Sequence, residues 1–131
     1  MRRALALIAV AILASVCTVS PTRGPDVNIT LADHSIASEV RTFKAGVIQR
    51  FVVANIGGVA HELRIVPPHT GSAHDAHGET LVHVKEADLQ VGVAASATVT
   101  LPASARGKMW ELACHLPGHY EAGMKLAITI E

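Results

Sequence analysis

No block of like charge runs through this sequence. Its 11 basic and 11 acidic residues cancel to a formal net charge of +0. It has no basic stripe to follow a phosphate backbone and no charge run to keep a segment unfolded. Nucleic acid is therefore not an expected partner. Long hydrophobic runs are also missing: the apolar stretch from Ala4 to about Val16 falls short of the roughly 20 residues that a membrane-spanning helix needs. Preceded by Arg2 and Arg3, that stretch has the layout of a secretory signal peptide, so residues 1–20 are expected to be removed and the product to be periplasmic, with no stable insertion in the membrane. Lipidation of Cys17 is the alternative, and the branched Val16 before it argues against that. Without Arg2 and Arg3, nine basic residues face eleven acidic ones, and the exported chain is mildly acidic. The two cysteines are Cys17 and Cys114. Once Cys17 leaves, Cys114 has no disulfide partner, and an unpaired thiol in an oxidising compartment is exposed to oxidation unless it is buried or metal-bound. Amphipathic helices and internal repeats are absent too.

What is present reads as β-structure. Half of the 131 residues are hydrophobic, enough for one core, so a single domain over residues 25–131 is expected. Segments such as VIQRFVVAN, HELRIV (His61 to Val66), LVHVKE (Leu81 to Glu86), ASATVTL (Ala95 to Leu101), KMWELAC (Lys108 to Cys114) and KLAITIE (Lys125 to Glu131) are short. They alternate in polarity, and Gly, Pro, Asp or Ser residues separate them. Repeated short strands of this kind predict an all-β sandwich or barrel rather than a βαβ fold. Trp110 and Phe51 are expected in its core. Pro67 to Thr80 is the one long irregular segment, with room for a helical turn near Ala73 to His77.

Chemistry concentrates near the end of the chain, in CHLPGHYEAGM. Cys114 closes one expected strand and Met124 precedes the next, so C-x4-H-x4-M lies on the connection between the last two strands. Pro117-Gly118 supplies a turn, and Gly123 allows the backbone close to whatever is bound, so Cys114, His119 and Met124 can converge. A fourth ligand must come from elsewhere, and His61, after the NIGGVA loop, is the best placed. Two imidazoles and a thiolate with a weak axial thioether describe a blue-copper site, whereas zinc seldom uses Met. For Cys114 alone, a small buried hydrophobe is the bland alternative.

The motifs GGVAHELRI and WELACHLPGHYEAGMKLAITI resemble those of the cupredoxins, the plastocyanin and azurin group of small blue-copper proteins, and the likeness extends from about Asp26 onward. The resemblance implies a Greek-key β-sandwich with one type 1 copper near one end, held by His61, Cys114, His119 and Met124, and Asn55 tying the two ligand loops together. The gaps between the ligands are longer than in typical plastocyanins and azurins and are closer to those of exported bacterial cupredoxins linked to copper handling. The expected function is thus copper handling or tolerance in the periplasm, with a copper-transport protein as partner. A one-electron carrier serving a redox partner protein is the alternative. An enzyme is not expected, since no open metal site or nucleophile–base pair is evident.

Five further histidines and a glutamate need a reading. Strand alternation points His115 away from Cys114, toward solvent. Glu62 either supports His61 or is an exposed strand carboxylate. His69, His74 and His77 in the irregular segment form a candidate second site for copper(II) or zinc, with a solvated loop as the alternative. His83, on the strand that follows, does not change that choice.

Overall fold

The computed structural model describes residues 20–71 and 78–131. The expected signal segment up to residue 19, with Cys17, and the pair His74 and His77, with the expected helical turn, lie outside the described residues. Nine strands are described: β1 (Arg23–Ala32), β2 (Ser35–Ser38), β3 (Thr42–Phe43), β4 (Ile48–Asn55), β5 (Leu63–Val66), β6 (Val82–Val84), β7 (Ala94–Thr100), β8 (Met109–Ala113) and β9 (Lys125–Ile130). Short 3-10 turns at Glu86–Asp88 and Ala103–Ala105 complete the described elements. None of the described residues forms a helix long and apolar enough to cross a membrane.

The strands make two sheets, ordered β2-β1-β4-β7 and β3-β9-β8-β5-β6. The polarity alternation read from the sequence is what turns them face to face. In β4, Gln49, Phe51, Val53 and Asn55 point inward, while Ile48, Arg50, Val52 and Ala54 are only half-buried. Inward residues of both sheets, among them Ile29, Leu31, Phe51, Val53, Leu63, Ile65, Trp110 and Leu112, build one core. Trp110 and Phe51 lie in it as expected, and the Trp110 indole N–H reaches the Ala105 carbonyl at 2.8 Å. β7 returns beside β4 and β8 beside β5, so the connections are of Greek-key type. The all-β sandwich of a single domain is therefore what the chain forms.

Two features of the topology differ from a simple run of antiparallel hairpins. β1 pairs with β4 in parallel, from Arg23↔Ile48 to Leu31↔Asn55, and β3 pairs with β9 in parallel through Thr42↔Thr129 and Phe43↔Ile130. Parallel neighbours need a long connection, which the chain supplies by passing through the β1–β2 hairpin and across to the second sheet in β3. That hairpin turns on Asp33 and His34 alone, and His34 takes the left-handed conformation (φ 63°) that a two-residue turn demands.

The ends of the strands set the site. β5 begins at Leu63 and β8 stops at Ala113. His61 and Cys114 thus lie just outside the ladders, where their side chains are free of the two-fold alternation.

Candidate metal centre

The loop from Cys114 to Met124 folds on itself through its own backbone. The Cys114 N–H donates to the Met124 carbonyl at 3.1 Å, the Met124 N–H to the His119 carbonyl at 3.0 Å, and the His119 N–H to the Leu116 carbonyl at 3.0 Å. Cys114, His119 and Met124 are thereby locked to one another before any ion is considered. Gly118 and Gly123 have φ of 80° and 102°, the left-handed region that glycine enters without strain. An added Cβ at Gly123 would meet nothing within 4 Å. Its glycine thus serves backbone conformation.

From the segment that leads into β5, His61 meets this loop. Its Nδ1 lies 3.2 Å from Nδ1 of His119, and Cys114 Sγ lies 3.4 Å from the same His119 atom. The three donor atoms fall within 4.8 Å of one another. His61 and Cys114 are fully buried, while His119 keeps a partly exposed edge. Met124, also fully buried, belongs to the same apolar cluster as Cys114. Two imidazole nitrogens and a sulfur aimed at one point form a donor set suited to a soft or borderline metal ion, and copper fits it.

Burial disfavours charge on two of the three donors, Cys114 and His61. Burial pushes the Cys114 thiol up, against the N–H groups of Glu62 and Leu116, which favour the thiolate. Burial, and then the neighbouring His119, push His61 below the ordinary imidazole value, with Asp33 opposing. A neutral His61 ring offers its lone pair directly, and the thiol proton leaves when a metal takes its place.

Behind His61 stands Asp33, which no sequence pattern singled out. Its Oδ1 lies 3.5 Å from His61 Nε2, and its carboxylate accepts the Gly58 N–H at 2.9 and 3.1 Å. Among the described residues, His61 Nε2 has no other polar partner. A Cβ on Gly57 would sit 2.7 Å from that nitrogen and against Asp33 Oδ1. Only glycine lets the turn of β1–β2 come this close. Asn55 donates to the carbonyls of Val59 (2.8 Å) and Leu89 (2.9 Å) and accepts the Gly57 N–H (2.8 Å). It therefore braces the His61 loop against the segment after the Glu86–Asp88 turn. The expected tie to the Cys114–Met124 loop is not made, because the Asn55 donors and acceptor are spent on that brace.

Two other expectations change. Glu62 is buried, with 5% exposure, and is not an exposed strand carboxylate. It accepts Arg64 Nε and His83 Nε2, each at 2.7 Å, and the His115 N–H at 3.2 Å. Burial pulls its carboxyl upward, but the Arg64 and His83 hydrogen bonds outweigh this and hold it below the ordinary value. Its own N–H lies 3.5 Å from Cys114 Sγ, so Glu62 and its partners support the cluster from below. His115 does point away from the cluster, as alternation required, but not into solvent. Its ring stands edge-on to Tyr120 (centroids 5.3 Å) and to His69 (5.0 Å), and its Nε2 lies 3.3 Å from His69 Nε2. His69 therefore meets His115, and the structure does not describe its expected companions His74 and His77.

The chain matches no known family model. It is 33% identical over 86 residues to the copper-resistant cuproprotein CopI of Rubrivivax gelatinosus, a match covering 63% of this chain and 52% of that protein. The chain thus spans about half the length of that curated relative. Among solved structures, reduced auracyanin from Roseiflexus castenholzii superposes with a TM-score of 0.62 at 19% identity, covering 83% of this chain and 98% of the other. Auracyanin B gives 0.64 at 22%, covering 86% and 93%, and reduced rusticyanin 0.62 at 16%, covering 87% of each.

Proposed function

We propose that this chain, whose fold is that of the cupredoxins, holds one type 1 copper through His61 Nδ1, Cys114 Sγ and His119 Nδ1, with Met124 as axial ligand, and serves copper tolerance in the periplasm. The observation that carries the copper assignment is the convergence of those three donor atoms within 4.8 Å at the end of the sandwich. Copper bound there would supply one-electron redox chemistry. The protein's own part is to present the donors ready-made: the loop hydrogen bonds fix Cys114 against Met124, and burial keeps water from the thiol. Similarity to a copper-resistant cuproprotein supports the tolerance reading, as does the signal-like N-terminus for export.

One feature favours electron transfer as a second reading. His119 keeps an exposed edge on a loop that also carries Leu116 and Pro117, and the loop leading to His61 exposes Ile56 (68%) and Val59 (49%). Such an apolar rim suits brief contact with a redox partner.

Adding one equivalent of copper(II) to the purified protein is expected to give an intense blue or green colour from thiolate-to-copper charge transfer. Cys114→Ser abolishes it, and Met124→Leu keeps it while raising the reduction potential. A colourless copper complex of the wild type would refute the assignment. Deleting the gene in its host and scoring growth on copper separates the readings: tolerance restored by the wild type and not by Cys114→Ser supports copper handling, and unchanged growth supports the carrier.

A further inference from the structure

On the far side of Cys114, two other imidazoles repeat the arrangement of the first pair. His61 and His119 present ring nitrogens 3.2 Å apart with centroids at 5.1 Å and planes at 68°. His69 and His115 present Nε2 atoms 3.3 Å apart with centroids at 5.0 Å and planes at 88°. The geometry points to a second metal site, outside the copper cluster, in which Nε2 of His69 and Nε2 of His115 hold a zinc ion, with water completing its coordination.

Three observations carry this. First, each ring is held by groups other than its partner, so the pair is preorganised. His69 stacks on Tyr120 (centroids 4.0 Å, planes 14°), and the Tyr120 hydroxyl accepts the His69 N–H at 3.4 Å and lies 3.0 Å from the His69 carbonyl. That hydroxyl is anchored in turn on buried Glu111 at 2.5 Å. His115 is positioned by its backbone N–H, which donates to the Glu62 carboxylate, and by the edge-on contact of its ring with Tyr120. Second, the spacing admits a tetrahedral ion, and this pair has no thiolate beside it. With zinc–nitrogen bonds of about 2.0–2.1 Å, donors 3.3 Å apart subtend about 110°, the tetrahedral angle that zinc prefers. A square-planar copper(II) would want about 2.8–2.9 Å between adjacent donors. Third, both rings are only half-buried, leaving an open side for water ligands. A plain N–H···N hydrogen bond between two neutral imidazoles is the competing use of the same geometry, and metal titration separates the two.

The protein is first given one equivalent of copper(II), its colour reporting that the Cys114 cluster is filled, and is then titrated with zinc chloride by calorimetry and native mass spectrometry. One further zinc per chain is expected. His69→Phe, which keeps an aromatic ring to stack on Tyr120, and His69→Ala should both lose that zinc and keep the colour, and His115→Gln should lose it too. Absence of the extra zinc in the wild type, or its retention by His69→Phe, would overturn the site. Should the first equivalent of copper give no colour, the copper assignment fails by itself, and zinc titration of Cys114→Ser, in which His69 and His115 are intact, reads the second site alone.

Discussion

Asp33 shows how much a single side chain adds to a site whose ligands lie elsewhere. It is half-exposed in its turn, yet its carboxylate faces the nitrogen of buried His61 that is turned away from the cluster. A carboxylate in that position holds the ring's orientation and tautomer and raises the basicity of the opposite nitrogen, the one proposed to bind copper. It also places negative charge near the ion, which favours the more highly charged copper(II). Asp33→Ala is therefore expected to weaken copper(II) binding by about 10- to 100-fold and to raise the reduction potential. Competition with a chelator and direct voltammetry would measure both. An unchanged potential with normal affinity would reduce Asp33 to a turn residue that caps the Gly58 N–H.

At the scale of elements, the parallel pairing of β1 with β4 is clasped on its outer face. Asp26 and Arg50 are register partners, joined at 2.7 Å, and Arg23 reaches the same carboxylate at 3.0 Å. The Arg50 and Arg23 hydrogen bonds hold the Asp26 carboxyl below its usual 3.8. A folded-state value below the unfolded one adds stability above about pH 4, and that stability is lost as pH falls through the folded value. Asp26→Asn should thus lower the urea midpoint slightly at pH 7 and lose its effect in acid below the folded value. Because the carboxylate is exposed, 1 M salt should shrink the difference at pH 7. A deficit that persists unchanged in acid would mean that the clasp acts through hydrogen bonds from the two arginines to the protonated carboxyl instead.

For the whole molecule, the two sheets are keyed together by aromatic contact. Phe51 of β4 in one sheet meets Phe43 of β3 in the other at 5.4 Å with rings at 71°, and both are essentially without solvent contact. Phe51→Ala removes that key and leaves a cavity, a loss of about 3–5 kcal/mol. Against a typical domain stability of about 5–15 kcal/mol, the variant should stay folded at 25 °C with a clearly lower denaturant midpoint. His61 and the Cys114 loop arrive from different parts of the core, so the variant should regain stability when copper is added, by an amount that grows with the logarithm of the free copper concentration. Equilibrium denaturation with and without copper tests both statements. A midpoint that copper fails to raise would separate the metal cluster from the stability of the sandwich.

Everything encoded by neighbouring residues was settled by the sequence alone. Period-two alternation yields the strands because successive side chains must face opposite sides. C-x4-H-x4-M with its Pro117-Gly118 turn yields the loop because its hydrogen bonds run between residues a few positions apart. Tertiary structure decided whatever joins positions far apart along the chain. Asp33 reaches His61 only because the β1–β2 turn lands beside the end of β4. Glu62, bonded to its neighbour Arg64, is buried rather than solvated because the β5–β6 pairing sets His83 opposite Arg64 and within reach of the Glu62 carboxylate. His115 was expected in water because alternation says only which way a side chain leaves its own strand. What waits on that side, here the ring of His69 stacked on Tyr120, depends on how a distant loop packs.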